Sequence, residues 1–314
     1  MANVLVTGGT GLLGGPTTRR LLSLGHKVVV YDLVPNLDNL GDAKDDVEIV
    51  RGNIADLPQL LRVVKGQKIE RVIHLAASIK HQSIADPLGA VMANSAATAY
   101  LCELALAFDI GRIVWASTAG VYGRRDQYPA GVKVTEDDLV GPSSPYGATK
   151  VACEQLTRTY RDTQGLDVVG FRLAYVYGLG RLTGATGQFN DMLRRLAMGE
   201  AATFPALAGG LSSFWQPMFN EDMAEVFCEA AFGPKAENTI YNAPVDETLT
   251  VEESMAILRE LVPGAKVELS ADAVGMGTVP LLDGTRAQKM YGVQLKHPLK
   301  DGWAKMLEHY STAR

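Results

Sequence analysis

The sequence predicts an α/β fold, with a doubly wound parallel sheet and a smaller C-terminal α/β lobe. Short apolar runs alternate with helical segments at 4–6, 27–31, 47–50, 71–75, 112–116 and 168–173. These runs are continuously apolar, which indicates buried strands of a parallel sheet covered on both faces. The alternation of apolar strands and helical segments stops after Arg172. We therefore expect a larger domain of residues 1–174 plus about 211–245, and a smaller lobe of about 175–210 plus 246–314.

Composition limits the classes of function. The chain has 314 residues, of which 47% are hydrophobic and 21% charged, as in an ordinary globular protein. Its net charge of −5 argues against nucleic acid or an anionic membrane as the main partner. No apolar run approaches the ~20 residues of a spanning helix, and no signal peptide is visible. Cys102, Cys153 and Cys228 have no metal or disulfide spacing, so we expect a cytoplasmic protein without a metal.

The first fourteen residues, MANVLVTGGTGLLG, predict a dinucleotide site. Gly9-x-Gly11-x-x-Gly14 follows a strand, and such glycines allow a tight turn, close approach of backbone N–H groups to a pyrophosphate, and packing of helix on strand. The motif is short enough to occur by chance. However, Asp32 ends the next strand about 20 residues further on, as the Rossmann fingerprint requires. A carboxylate there accepts ribose hydroxyls and repels a 2′-phosphate, so we predict NAD rather than NADP.

A second pattern predicts acid–base chemistry. Tyr146 and Lys150 are four residues apart, so a helix places both on one face. Tyrosine, with a pKa of about 10, becomes a useful base only where cations stabilise its phenolate. Lys150 supplies one such charge, and an oxidised nicotinamide supplies another. Alone this pair is more often a solvated surface pair. Together with Ser117 and Thr118 at a strand end, it predicts that Tyr146 exchanges the proton of a hydroxyl held by Thr118.

The chain resembles the extended short-chain dehydrogenase/reductase family, the NAD-dependent epimerase/dehydratases, from residue 4 to about 292. The resemblance rests on TGGTGLLG at 7–14, YD at 31–32, HLAA at 74–77, ST-x-x-VYG at 117–123 and PYGATK at 145–150. It implies an NAD-dependent enzyme with Thr118, Tyr146 and Lys150 as catalytic residues, and a homodimer through helices near 94–107 and 144–161. It also implies that NAD contacts Gly8, Gly11, Leu12, Leu13, Gly14, Asp32, Asn53, Ile54, Asp56, Leu75, Ala76, Ala77, Asn94, Ala116, Tyr146 and Lys150. For Asp56, a helix N-cap is an equally good interpretation.

The departures from the family pattern concern the substrate. Nucleotide-sugar members resemble this chain but carry Asn where it has Tyr175 and Arg where it has Trp215. The segment 270–280, which in such members often holds a second phosphate-binding Arg, has no basic residue. A buried diphosphate needs cationic or bidentate donors. A small substrate is therefore favoured, with Trp215 or Tyr175 packing on its apolar face.

Some alternatives remain open at this point. A phosphate-binding charge could come from elsewhere, from Arg124, Arg181 or Arg194. Arg172 or Lys80 could meet a substrate carboxylate, although Arg172 could equally brace the fold. The residues predicted to contact the substrate are Ser78, Lys80, Thr118, Tyr175 and Trp215.

Three functions fit these patterns. The first is an NAD-dependent dehydrogenase of a small carbohydrate-like substrate, namely a free sugar, a sugar acid or a hydroxy acid. The second is a nucleotide-sugar 4-epimerase that retains its NAD and returns the hydride to the opposite face. The third, a non-enzymatic NAD-binding protein, is disfavoured because a pure binder needs none of Thr118, Tyr146 and Lys150. The sequence favours the first.

Overall fold

In the computed structural model, the described residues are 1–129, 131–182, 186–207, 209–273 and 279–312. The strands are β1 (Asn3–Thr7), β2 (Lys27–Asp32), β3 (Glu48–Arg51), β4 (Arg71–His74), β5 (Arg112–Thr118), β6 (Lys133–Val134), β7 (Val168–Leu173), β8 (Tyr175–Tyr177), β9 (Ala202–Ala206), β10 (Phe214–Trp215), β11 (Pro217–Phe219), β12 (Ile240–Asn242), β13 (Leu249–Thr250), β14 (Val267–Ala273) and β15 (Leu281–Leu282). The helices are α1 (Gly14–Ser23), α2 (Leu57–Gly66), α3 (Lys80–Ala85), α4 (Pro87–Ala90), α5 (Ala97–Ala107), α6 (Pro145–Gln164), α7 (Gly187–Ala197), α8 (Asn220–Phe232), α9 (Val251–Leu261), α10 (Thr285–Tyr291) and α11 (Leu299–Thr312).

A seven-stranded sheet forms the larger domain, with its strands in the order β3-β2-β1-β4-β5-β7-β12. Every pair in it is parallel. The strand order reverses beside β1, where the chain runs outward to β2 and β3 on one side and to β4 and β5 on the other. In doubly wound sheets, ligands bind at the carboxyl ends of the strands next to such a reversal. The predicted Rossmann-type fold is confirmed.

Both faces of this sheet are covered, as continuously apolar strands require. Within β1, Val4 and Val6 belong to one hydrophobic cluster, which includes residues of α1 and α8. Leu5 points to the opposite face and belongs to a second cluster with residues of α2, α5 and α6. All three side chains are fully buried. This packing fixes the sheet, so the ends of its strands form a rigid edge for a site.

The smaller lobe has its own core. Residues of β8, α7, β9, β10, α9 and α11 form a third cluster in which Trp215 and Trp303 are fully buried. Short two-stranded sheets join β8 to β11, β9 to β14 and β10 to β13.

The boundary between domain and lobe differs from the predicted one. Strand β10 pairs with β13 of the lobe, although residues after about 211 were expected in the larger domain. Conversely, β15 pairs with β6, and Leu282, Ala287 and Val293 pack into the core of the larger domain. The chain therefore crosses between the two parts more often than the change in sequence rhythm indicates.

Among the described residues, one helical stretch, Pro87–Ala107, is long and apolar enough to be a candidate membrane span. Nearly half of it is buried inside the fold, where Leu101 and Cys102 pack in the core beneath the sheet. It also contains Asn94, a buried polar residue with hydrogen bonds to two neighbouring segments. These contacts are typical of a core helix.

Candidate active site

A cleft of about 860 Å³ runs along the carboxyl ends of the central strands. Its volume lies within the range of about 300–1,000 Å³ that is usual for small-molecule sites. Its lining includes the glycine-rich turn after β1 and the group of Thr118, Tyr146 and Lys150. The smaller lobe contributes Tyr175, Arg181 and further residues.

The glycine-rich turn is shaped as a cradle. Gly8 has φ +67°, and a Cβ atom there would lie 2.8 Å from the backbone nitrogen of Ala76. A Cβ atom at Gly14 would lie 2.0 Å from the carbonyl oxygen of Gly8. Helix α1 begins at Gly14 with no acidic residue in its first turn. The turn thus presents backbone N–H groups and the positive end of a helix dipole to the cleft, which suits a pyrophosphate.

Asp32 lies in the cleft at the end of β2, and its carboxylate has a fixed orientation. The backbone N–H and the hydroxyl of Thr10 donate to its Oδ2 at 3.1 and 2.7 Å. The backbone N–H of Val34 donates to Oδ1 at 3.3 Å. These bonds leave acceptor capacity for ribose hydroxyls. The residues present therefore fit NAD.

Most of the other predicted cofactor residues also line the cleft, namely Gly11, Leu12, Leu13, Asn53, Ile54, Leu75, Ala76, Ala77 and Ala116. Asp56 and Asn94 do not line it. Asp56 is the N-cap of α2, where its Oδ1 accepts from the backbone N–H of Gln59 at 3.0 Å. Asn94 is fully buried; it accepts from the Ser78 N–H at 2.8 Å and donates to Thr149 Oγ1 at 2.9 Å. The cap at Asp56 agrees with the alternative interpretation of that residue, and Asn94 joins the segments around Ser78 and Thr149. Contact of either residue with NAD stays a prediction.

Helix α6 positions the predicted acid–base pair. The hydroxyl of Ser144 accepts from the Gly147 N–H at 3.1 Å, which caps the helix and places Tyr146 in its first turn. Lys150 follows one turn later and is only 2% exposed. Its Nζ lies 6.0 Å from the centre of the Tyr146 ring. Thr118, at the end of β5, lines the same part of the cleft.

Electrostatics at Tyr146 differ in part from the expectation. Burial raises the pKa of Tyr146 to about 12, and Cys153 contributes in the same direction. The charge of Arg181 and a hydrogen bond with Thr118 oppose that rise. Burial also lowers the pKa of Lys150, partly offset by Cys153 and Glu154. Arg181 is thus a second cation that favours the phenolate of Tyr146, which the sequence had not indicated.

A buried network at the wall of the cleft includes Arg172 and Ser117, of which Ser117 also lines the cleft. Glu154 accepts from the Ser117 hydroxyl at 2.7 Å and from two nitrogens of Arg172 at 2.9 and 2.6 Å. Arg172 is 2% exposed, and its guanidinium lies 4.4 Å from the centre of the Tyr122 ring. With its carboxylate partner already inside the fold, Arg172 braces β7 against α6. Thr118 is the more accessible hydroxyl of the Ser117-Thr118 pair.

The predicted substrate residues do not all meet at the cleft. Ser78, Lys80, Thr118 and Tyr175 line it. Trp215 does not: it is fully buried, stacks on Phe189 with ring centres 4.7 Å apart, and donates from Nε1 to Ser254 Oγ at 2.9 Å. The prediction that Trp215 packs against the substrate is therefore wrong, because the core of the lobe uses this side chain.

Of the three arginines considered as alternative phosphate partners, one lines the cleft and two do not. Arg124 pairs with Asp126 and Arg194 with Asp191, and neither lines the cleft. Arg181 does line the cleft. So does Thr186, a residue that no sequence pattern indicates. Both follow the segment Val176-Tyr177-Gly178 at the end of β8, and a position shortly after a strand of the smaller lobe is the signal that could have identified Thr186. Of the base-free stretch 270–280, residues 274–278 lie outside the described residues, and Val279 reaches the cleft.

Comparison with known proteins identifies the family. A model of the NAD dependent epimerase/dehydratase family matches residues 4–243. The UDP-glucose 4-epimerase of Mycolicibacterium smegmatis is 31% identical, over 98% of this chain and 97% of that enzyme. A UDP-glucose 4-epimerase of Halalkalibacterium halodurans is 35% identical, over 54% of this chain and 49% of that enzyme.

Solved structures agree with this result. The complex of Thermus thermophilus UDP-glucose 4-epimerase with NAD has a TM-score of 0.85 and 26% identity, covering 99% of this chain and 100% of that one. Trypanosoma brucei L-threonine 3-dehydrogenase has a TM-score of 0.87 and 25% identity, covering 99% and 98%. The chain therefore belongs to the NAD-dependent epimerase/dehydratase family, and it is an enzyme with NAD as its cofactor.

Proposed function

We propose that the protein is an NAD-dependent dehydrogenase that oxidises a hydroxyl-bearing carbon of a free sugar, a sugar acid or a hydroxy acid. The observation that carries the proposal is the wall contributed by the smaller lobe. Among its described residues in the cleft, Arg181 is the single cation, beside Tyr175, Val176, Thr186 and Val279. A nucleoside diphosphate presents at least two negative charges and needs several cationic or bidentate donors. One arginine fits a smaller substrate.

The chain's own residues account for the transfer of the substrate's hydroxyl proton. Tyr146, as a phenolate, accepts the proton of the substrate hydroxyl, and the positive charge of Arg181 favours that phenolate. Thr118 holds the reacting oxygen beside Tyr146. NAD, when bound, supplies the hydride acceptor, so the C–H and O–H bonds of the alcohol break and a carbonyl compound and NADH result. Positioned acid–base groups of this kind contribute about 10²–10⁴-fold in rate.

The alternative is a nucleotide-sugar 4-epimerase that retains its NAD. It is supported by the Mycolicibacterium smegmatis relative, which is named a UDP-glucose 4-epimerase. Such an enzyme interconverts its sugars with no net formation of NADH, and it binds the nucleotide part of the substrate. These two properties distinguish it from a dehydrogenase.

A binding experiment tests the proposal against this alternative. Calorimetry of the NAD-loaded protein with uridine, thymidine, guanosine and cytidine diphosphates should detect no binding, because the lobe has too few donors. A parallel screen of sugars, sugar acids and hydroxy acids for NADH formation should find a substrate. Micromolar binding of any of the four diphosphates would instead support the epimerase.

The oligomeric state of the enzyme and its cellular compartment are also proposals. Cys102, Cys153 and Cys228 are buried free thiols, which favours the reducing environment of the cytoplasm. A homodimer through the helices at 94–107 and 144–161 stays a prediction, which light scattering of the purified protein decides. A monomer at micromolar concentration would contradict it.

A further inference from the structure

We propose that Arg181 binds a carboxylate of the substrate, so that the compound oxidised is a sugar acid or a hydroxy acid and not a neutral sugar. This inference rests on the proposed dehydrogenase function. It narrows the substrate class and assigns Arg181 as the residue that determines specificity.

The backbone at Gly178 and Arg181 is held by a side chain of α7. The backbone carbonyl oxygen of Arg181 accepts from Asn190 Nδ2 at 2.6 Å. The same side-chain amide donates to the carbonyl oxygen of Gly178, also at 2.6 Å. Asn190 lies on α7 and is fully buried. Arg181 Nη2 donates to Thr186 Oγ1 at 3.1 Å. The guanidinium is thus oriented before any substrate arrives, which reduces the entropy lost on binding.

The guanidinium also has unused donors. Arg181 is partly exposed where it lines the cleft, and no carboxylate of the described residues forms an ion pair with it. Arg172, by contrast, is held by Glu154. A guanidinium at the wall of a cleft, without a carboxylate partner in the fold, is available to a ligand, and its planar shape is suited to a bidentate carboxylate. An anionic ligand would satisfy this group.

Arg181 and Tyr146 line the same cleft, so one small molecule can reach both groups. The charge of Arg181 also opposes the burial that raises the pKa of Tyr146. A compound with a hydroxyl at Tyr146 and a carboxylate at Arg181 is therefore compact. Phosphate presents similar oxygen atoms, but a diphosphate needs several cationic or bidentate donors, and Arg181 is the single cation that the described residues of the smaller lobe bring to the cleft.

Paired compounds test the inference directly. The pairs are galacturonate and galactose, glucuronate and glucose, and glycerate and glycerol, each assayed for NADH formation and, on the NADH-loaded protein, for binding by calorimetry. The wild-type protein should prefer the acid in at least one pair. Arg181→Gln should weaken binding or raise KM for that acid on the order of 10²-fold, with a smaller effect on kcat. Arg181→Lys keeps the charge but loses the planar pair of N–H donors. Its affinity for the acid should therefore lie between those of the wild type and Arg181→Gln.

Arg194→Gln is the matched control, because Arg194 pairs with Asp191 on the outer part of α7 and does not line the cleft. It should bind and oxidise the acid like the wild type. If Arg181→Gln does not fold, as judged by thermal unfolding, Arg181→Lys still carries the test.

The outcomes separate this inference from the proposed function. Efficient oxidation of a neutral sugar, with no acid bound more tightly than its neutral partner, would overturn the carboxylate inference and leave the dehydrogenase standing. Binding of uridine diphosphate that is lost in Arg181→Gln would overturn both, since Arg181 would then hold a phosphate.

Discussion

Tyr146 shows how strongly the surroundings of one side chain determine its chemistry. Burial raises its pKa to about 12, and the positive charge of Arg181 and the hydroxyl of Thr118 act in the opposite direction. Lys150 is buried beside it, with its Nζ 5.5 Å from the centre of the Trp115 ring. The base is therefore effective only as far as cations in the cleft stabilise its phenolate.

Replacement of Tyr146 by Phe tests this role. We expect turnover to fall by about 10²–10⁴-fold, because the variant has no group to accept the substrate proton. NAD binding should be retained, since the glycine-rich turn and Asp32 are unchanged. Steady-state kinetics and a fluorescence titration with NAD measure both quantities. Near-normal turnover of the Phe variant would contradict the assignment.

The pH dependence of oxidation follows from the raised pKa of Tyr146. Because the phenolate is the reactive form, kcat/KM should rise as pH rises from neutral, with no falling limb caused by this residue. Arg181 opposes the rise in the pKa of Tyr146, so Arg181→Gln should move the rising limb to higher pH. The pH profiles of kcat/KM for the two proteins provide the comparison, because kcat/KM reports the free enzyme, in which no substrate carboxylate neutralises Arg181. A limb that stays in place or moves to lower pH would show that Arg181 does not act on the base.

Asp32 should control the choice between the two nicotinamide cofactors. Its carboxylate is oriented by Thr10 at the end of β2, inside the cleft. Asp32→Ala removes the repulsion of a 2′-phosphate, so the preference for NAD over NADP should fall at least about tenfold, or ~1.4 kcal/mol. Asp38→Ala, on an exposed residue outside the cleft, is the control. Tighter binding of NADP than of NAD by the wild type would refute this role of Asp32.

At the scale of elements, the beginnings of two helices create the site. Helix α1 begins at Gly14 against the carbonyl of Gly8, and α6 begins at the Ser144 cap just before Tyr146. Such starts depend on a few neighbouring residues, so the sequence reveals them. The same holds for α9, where Thr250 and Glu253 form the capping box that an acidic, threonine-led start predicts.

The close contact at Gly14 gives a prediction about the turn after β1. Gly14→Ala places a Cβ atom 2.0 Å from the Gly8 carbonyl, so the strand and the helix must separate. We expect a loss of about 1–3 kcal/mol in the free energy of unfolding and weaker NAD binding. Urea denaturation and NAD titration measure the two effects.

Gly66→Ala is the matched control, because a Cβ atom at this last residue of α2 meets nothing within 4 Å. It should leave NAD binding unchanged and the stability equal or slightly higher. If the Gly14→Ala variant were as stable as this control, the turn would have to tolerate a side chain.

For the whole molecule, the sequence predicts local features well and long-range ones poorly. The strands, the glycine-rich turn and the Tyr146–Lys150 pair follow from spacing within a few residues. The burial of Trp215 depends on Phe189 and Ser254, which are distant in the chain, so no local pattern could predict it. The return of Leu282 and Ala287 to the larger domain has the same origin.

Arg181 is partly predictable from local sequence and partly dependent on distant residues. It follows the segment 176–178, but its importance depends on an environment that the sequence does not display. Arg181 lines the same cleft as Tyr146, and no carboxylate of the described residues pairs with it. The smaller lobe thus determines the substrate through contacts that form only when the whole chain is folded.

The central claim is that hydride leaves the enzyme as NADH. The most direct measurement is the amount of NADH formed when the purified protein turns over the acid selected by the paired screen, with NAD in excess. We predict one NADH for each carbonyl product, over many turnovers, and none with UDP-galactose. Conversion of UDP-galactose to UDP-glucose without NADH, and no NADH from any of the acids, would contradict the account.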